Sequence, residues 1–337
     1  MNNQRIVLAS RPQGAASVDN FRLETVELPP LQAGQVLVQH HFLSLDPYMR
    51  GRMNDGKNYA TPQPLGEVMI GGTVGQVLES QHPAYSVGDN VVGMGGWQQY
   101  TVVNAAVPGA LRKVDATAVP LSAYLGVVGM PGVTAWYGLN KIIEPRAGET
   151  VVVDAASGAV GSAVGQLAKA AGCRVVGIAG GAEKCAHVVG DLGFDACIDH
   201  KAHTTFASLA AALDGAAPKG VDGLFENVGG LILEVVLSRM NPFGRVAVCG
   251  MISGYDGQAI PLADPRVILT SRLKVQGFIV SEHLALWPQA LGELAAGVAS
   301  GVIKYRESVA NGLAAAPEAF IGLLAGRNFG KQIVKLV

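Results

Sequence analysis

The run Val151 to Gly165, VVVDAASGAVGSAVG, holds the residues whose types and spacing point most directly to chemistry. A β-branched apolar stretch ends in small residues, and Ala156, Gly158 and Gly161 follow as A-x-G-x-x-G before a segment of helical periodicity. Small residues let a backbone approach a pyrophosphate closely, and the helix that follows turns unpaired N–H groups and its positive end toward the anion. Gly158, Ala159, Val160 and Gly161 would form that cradle. Because Ala156 replaces the first glycine of the usual G-x-G-x-x-G, the turn alone fits equally well a tight strand-to-helix connection in any α/β protein.

The surroundings favour the dinucleotide reading. Val160, Val164, Leu167, Ala168 and Ala171 recur at helical spacing, and Cys173 to Ala179 reads as a second strand, which completes a βαβ unit. A site for NAD usually places Asp or Glu about 20 residues after the glycines, on the ribose 2′-OH. Here the second strand ends in Ala179, Gly180 and Gly181, followed by Glu183 and Lys184. With no carboxylate at the strand end and Lys184 within reach, a 2′-phosphate is accommodated, so NADPH is the expected cofactor; a lysine at a helix start is otherwise commonly just solvated.

These residues need a frame to hold them. From about residue 120, VVVDAA, CRVVGIA, ACIDH, GLFENVGG, RVAVCGM and LKVQGFIV alternate with helical segments, as in an α/β, doubly wound parallel sheet. Ligands in such sheets lie beyond the carboxyl ends of the strands. Those ends include Gly180 to Lys184, His200, Asn227 to Gly230, Gly250 to Tyr255 and Phe278 to Val280; Asn227 would bring an amide toward the nicotinamide end, or simply close a buried turn. Before residue 120, short alternating segments such as Gln35 to His40, Gly72 to Leu78 and Asn90 to Gly93 suggest a compact β-rich unit. A helical segment, Pro317 to Ala325, and a strand-like run, Lys331 to Val337, are expected to return to that unit.

Composition bounds the function classes. The 337 residues are 49% hydrophobic and 15% charged with a formal net charge of −1, so the electrostatic footprint of a nucleic-acid binder is lacking and no nucleic-acid partner is expected. Cys173, Cys185, Cys197 and Cys249 form no C-x-x-C pair and read as reduced core thiols, consistent with a cytoplasmic setting. Ala116 to Asn140 is uncharged over 25 residues, long enough to span a bilayer. Its prolines and glycines instead suggest a buried hinge and helix, with no membrane partner.

The chain resembles the zinc-independent medium-chain dehydrogenases/reductases, in particular the leukotriene B4 dehydrogenase, prostaglandin reductase and alkenal reductase group that includes bacterial curcumin reductase. The marks run in order from Leu45-Asp46-Pro47-Tyr48-Met49-Arg50-Gly51-Arg52 through Gly129-Met130-Pro131-Gly132-Val133-Thr134-Ala135 and Ala156 to Gly161. Phe225-Glu226-Asn227-Val228-Gly229-Gly230 and Gly326-Arg327-Asn328-Phe329-Gly330-Lys331 complete the series. The resemblance implies a GroES-like β-rich catalytic domain over residues 1–119, completed by 302–337, and a Rossmann NADPH-binding domain over 120–301, with substrate in the cleft and a homodimer as the common assembly. It implies that Lys184 and Asn328 bind the adenosine phosphate, and that Met130 and Thr134 face the nicotinamide. Asn227, Cys249, Gly250, Met251, Ile252, Ser253, Tyr255, Phe278, Ile279 and Val280 would hold the remainder. His200 stands where many relatives have tyrosine, and Leu269-Thr270-Ser271 stands where some carry a catalytic tyrosine.

The family activity implied is NADPH-dependent reduction of the carbon–carbon double bond of an α,β-unsaturated ketone or aldehyde, a small-molecule enone or enal. Hydride addition to the β-carbon places charge on the carbonyl oxygen, which needs a hydrogen-bond donor. No cysteine precedes Cys173, and Leu65-Gly66-Glu67 lacks an adjoining histidine, so no metal site is expected. Tyrosines Tyr48, Tyr59 and Tyr255 are the candidate donors, with Tyr48 and Tyr59 first; each is also the kind of residue that packs with its hydroxyl satisfied by backbone. Arg50 and Arg52 are candidates for a carboxylate or a cofactor phosphate, whereas His40 and His41, on opposite faces of a strand, read as structural. An NADPH quinone oxidoreductase of the same superfamily and a non-catalytic NADPH-binding sensor are the alternatives.

Overall fold

The computed structural model describes residues 1–56 and 58–337. They divide into two compact units, Met1–Gly126 with Glu307–Val337, and Val127–Arg306. The divisions lie later in the chain than 119/120 and 301/302 for local reasons. The short helical turn Leu121–Leu125 packs on the strands Gln35–Ser44 and Thr73–Ser80 of the first unit. At the other end, Gln166 donates Nε2 to Lys304 O and accepts from Lys304 N, both at 2.8 Å, which holds that segment in the second unit.

The first unit is built on a seven-stranded sheet. Its path runs Glu307–Asn311, Lys331–Lys335, Gln35–Ser44, Thr73–Ser80, Asn90–Gly93 and Leu111–Lys113, with Tyr100–Asn104 also pairing with Gln35–Ser44. The C-terminal strand Lys331–Lys335 therefore lies antiparallel to Gln35–Ser44, in register Val334 to Leu43. Its apolar side, with Leu43, Leu45, Met49, Trp97, Phe320 and Val334, forms one core. His40 is buried in this unit with its Nε2 2.7 Å from Thr101 Oγ1, and burial, with His41 beside it, depresses its pKa to about 3, so it serves the structure as a neutral ring.

The second unit is a six-stranded sheet, parallel at every pairing, in the order Ala196–Asp199, Arg174–Ala179, Thr150–Val153, Val221–Glu226, Met240–Val248 and Lys274–Gly277. In chain order this is 3-2-1-4-5-6, with the switch point beside the first strand, Thr150–Val153. That strand is buried throughout, as a continuous β-branched run between two layers requires. Among the described residues no helix is long and apolar enough to cross a membrane. The uncharged stretch instead forms the turn Leu121–Leu125, the helix Met130–Tyr137 and a wider helical turn Gly138–Ile143.

Candidate active site

The glycine turn lies at the carboxyl end of the first parallel strand and opens the helix Gly161–Ala170. A Cβ on Gly161 would lie 2.5 Å from Ala155 O and one on Gly158 3.1 Å from the same atom, so the chain can fold this tightly only with small residues there. Ala159, Val160 and Gly161 stand at the start of the helix, where amides have no intrahelical partner. This bare backbone fits a pyrophosphate. The helix itself differs from the expected stripe. Val164 and Ala168 are buried, Val160 and Leu167 half-buried and Ala171 exposed, while Gly161, Ser162, Ala163 and Gly165 are also buried. Gly165 explains this: a Cβ there would overlap the Phe194 ring at 1.8 Å, so the helix is packed closely on that side as well.

At the end of the second strand, Gly180 lies under His200 and Lys201. A Cβ on Gly180 would meet His200 Nε2 at 2.9 Å and Lys201 Cε at 3.1 Å. Burial and the neighbouring Lys201 both lower the pKa of Lys184. Burial chiefly, and then Lys201 and Lys184, lower that of His200 against the pull of Asp199. Lys184, His200 and Lys201 thus stand close enough at this strand end to feel one another's charge. The carboxylate of Asp199 is turned to backbone: it accepts from Gly181 N at 2.7 Å and Lys201 N at 3.0 Å. The donor set suits a phosphate, and the sequence pattern missed Lys201, whose place one residue after His200 was the available signal.

Asn227 to Gly230 closes the fourth strand against the loop after the fifth. Ile252 N donates to Asn227 O at 3.1 Å, Ser253 N to Val228 O at 3.0 Å, and Ser253 Oγ to the same carbonyl at 2.6 Å. Cys249 N and Gly250 N donate to Glu226 O, so Cys249 to Ser253 and Tyr255 belong to one continuous loop with Asn227. A Cβ on Gly250 would lie 3.1 Å from the Tyr255 hydroxyl. Phe278 faces inward against Tyr137 and Phe225 at ring-centroid distances of 5.3 and 6.3 Å, and Val280 is buried with its carbonyl accepting from Trp287 Nε1. Phe278, Ile279 and Val280 thus offer backbone more than side chain. Met130 and Thr134 share the first turns of one helix, where the Thr134 hydroxyl donates to Met130 O at 2.7 Å and keeps its lone pairs for accepting.

Beneath the Asn227 loop, Asp154 and Glu226 are fully buried side by side at the ends of the first and fourth strands. Asp154 Oδ1 accepts from Asn227 N at 2.7 Å and Nδ2 at 3.1 Å, and Oδ2 from Val228 N at 3.1 Å. Glu226 Oε1 accepts from Val228 N and Gly229 N. Burial and the adjacent Glu226 push the Asp154 carboxyl well above its usual range. Burial, with these two acids nearby, raises the Cys249 thiol to about 12.

In the first unit, Tyr48 opens the short helix Tyr48–Arg52 and is half-buried. Burial, then the Asp46 charge and the nearby Tyr59, hold its phenol far above the ordinary tyrosine pKa, with Arg52 opposing. The structure thus brings Tyr48 and Tyr59 together, although Tyr59 is 56% exposed. Tyr255 belongs to the second unit. Arg50 is 1% exposed and donates to Asn54 Oδ1 at 2.8 Å and Gly14 O at 2.6 Å, which ties loops of the first unit together. Arg52 donates to Thr61 O. Asn328 donates Nδ2 to Gly330 O and lines a surface groove of about 380 Å³ that also exposes Arg327. Among the described residues, no group of three or more His, Cys, Asp or Glu side chains is placed to hold a metal ion.

Comparison with known proteins places this architecture. Residues 4–111 match a family described as the N-terminal domain of oxidoreductase, and residues 159–296 one described as zinc-binding dehydrogenase. The chain is 46% identical to the NADPH-dependent curcumin reductase of Escherichia coli, over 99% of this chain and 97% of that protein. The chain belongs to the medium-chain dehydrogenase/reductase family. Another member, the NADP(+)-dependent 2-alkenal reductase of Nicotiana tabacum, is 40% identical over 99% and 97% of the two chains. The crystal structure of CurA in complex with NADPH from Vibrio vulnificus superposes with a TM-score of 0.92 at 44% identity, covering 99% of each chain. In this medium-chain dehydrogenase/reductase, the sequence showed Lys331 but not its partner: it donates Nζ to Asp46 Oδ1 at 2.9 Å, shortly before Tyr48.

Proposed function

We propose that this NADPH-dependent reductase saturates the carbon–carbon double bond of α,β-unsaturated ketones and aldehydes. The observation that carries the reading is Tyr48, a half-buried phenol kept protonated beside Asp46 in the first unit. The names of the curcumin, 2-alkenal and rat prostaglandin reductases, the last 43% identical over 96% of this chain, support the substrate class.

Bound NADPH supplies a hydride for the β-carbon of the enone. Lys184, Lys201 and His200 hold the 2′-phosphate, Gly158 to Gly161 the pyrophosphate, and Asn227, Thr134, Met130 and the Cys249–Tyr255 loop the nicotinamide half. Tyr48 donates a hydrogen bond to the carbonyl oxygen, where negative charge gathers, so a metal ion is not called on to polarise it. A proton from solvent water then reaches the α-carbon, leaving hydroxide to the buffer and completing the addition of two hydrogens across the double bond. Tyr59 supports Tyr48, and Asn328 joins the phosphate site. A homodimer in the cytoplasm belongs to the same reading, supported by the family resemblance and by four free cysteines.

Turnover of NADPH with an enal, an enone, a saturated ketone and a simple quinone tests the assignment. The first two are expected to be consumed and the saturated ketone ignored; turnover confined to the quinone would overturn it.

A further inference from the structure

Asp154 touches neither a surface nor, in the scheme above, a substrate, yet it makes more bonds to the Asn227 loop than any backbone neighbour requires. Its Oδ1 accepts from both the backbone N and the side-chain Nδ2 of Asn227, and its backbone carbonyl accepts from the same Nδ2 at 3.1 Å. Its Oδ2 takes Val228 N. The carboxamide of Asn227 is thereby fixed in one orientation. Nδ2 is spent inward, and Oδ1 is left as an acceptor.

Glu226 completes the grip by accepting from Val228 N and Gly229 N through Oε1. Its Oε2 is buried and receives no donor from the described residues, although the Asp154 side chain interacts with that of Glu226. Two carboxylates cannot both remain ionised at such a site, so one proton held between them is the donor that satisfies Oε2. Cys249 is the third titratable group facing the pair, and it stays a neutral thiol. Together the two acids bind four donors of a loop in which Gly229 and Gly230 both take positive φ, 81° and 61°.

We propose that Asp154, sharing one proton with Glu226, is a positioning residue for the cofactor: it locks Asn227 so that its carboxamide oxygen accepts a hydrogen bond from a hydroxyl of the nicotinamide ribose. The inference rests on the NADPH reading above. It also predicts a difference between the two halves of the cofactor, because the Lys184, His200 and Lys201 cluster is built on other strands. An adenosine 2′,5′-bisphosphate, which carries the 2′-phosphate but no nicotinamide, should be indifferent to residue 154.

The test is direct titration of the full chain with NADPH and with adenosine 2′,5′-bisphosphate, for the wild type, Asp154→Ala and Asp154→Asn. Asp154→Ala should weaken NADPH by tenfold or more and leave the bisphosphate within twofold. Asp154→Asn, whose amide can donate to Glu226 while its oxygen accepts from Asn227, should restore NADPH binding to within threefold of wild type. Equal weakening of both ligands, or unchanged NADPH binding in Asp154→Ala, would overturn the proposal. If Asp154→Ala does not yield folded protein, Asp154→Ser, too short to reach the Asn227 amide, is read by the same criteria. Failure of the wild type itself to bind NADPH would instead defeat the functional reading on which the proposal stands.

Discussion

Lys331 Nζ lies 2.9 Å from Asp46 Oδ1, with the two side chains only 4% and 8% exposed, and joins residues 285 apart in the chain. The same ammonium donates to the carbonyls of Leu45 and Gln332, while Asp46 also accepts from Ser44 Oγ. Every polar atom of the pair is therefore served, the condition under which a desolvated ion pair is tolerated. Because Asp46 and Pro47 lead directly into Tyr48, the last strand of the chain fixes where the candidate phenol begins. Lys331→Met leaves Asp46 charged and buried without its cation, and should cost about 3–5 kcal/mol of stability by chemical denaturation. Asp46→Asn with Lys331→Met should recover part of that loss.

Tyr48→Phe removes the proposed donor to the carbonyl oxygen. Turnover should fall by about 10²-fold, the usual cost of deleting one such donor, with NADPH affinity unchanged. Tyr59→Phe, at an exposed site, should cost only a few-fold. Since burial and Asp46 raise the Tyr48 pKa above the ordinary 10, activity that depends on its proton should not fall away as pH passes 10. Steady-state rates across alkaline pH in the wild type and both variants check this.

The cationic cluster predicts both selectivity and proton uptake. Lys184→Ala should raise the NADPH dissociation constant by about 10–100-fold, the loss of one charge-assisted hydrogen bond, and leave NADH binding unaltered. His200 is neutral near pH 7 because burial, Lys201 and Lys184 lower its pKa, outweighing Asp199. A phosphate dianion reverses the sign of that environment and raises it. NADPH should therefore bind more tightly as pH falls, with proton uptake visible by calorimetry in buffers of different ionisation enthalpy, and His200→Phe should abolish the uptake.

Much of the frame was legible because parallel strands and their turns are local signals: the six apolar runs after residue 120 all became strands of one parallel sheet. The glycine turn was legible for the same reason, since steric demand is written in the residues themselves. Arg50 was not. The pattern DPYMRGR shows charges on a short segment but not which one points inward, and the buried one went to Gly14 and Asn54. Lys331 and Asp154 were hidden differently, each deriving its role from partners far along the chain, Asp46 and the Asn227 loop.

Asp154 also sets a pH signature on stability. Its pKa in the folded protein lies above the ordinary 3.8 of the unfolded chain. Between those values the folded state holds the extra proton, so stability falls as pH rises through that window, by about 1.4 kcal/mol per pH unit for one proton. Asp154→Asn should remove this slope, which denaturation at several pH values above 5 measures.

The central claim is tested most directly by following the hydride. With NADPH deuterated on the transferring face of its nicotinamide and an α,β-unsaturated ketone as acceptor, NMR of the product should show a saturated ketone carrying deuterium on the carbon β to the carbonyl. A product labelled at the carbonyl carbon, or NADPH oxidation without any saturated ketone, would contradict the account.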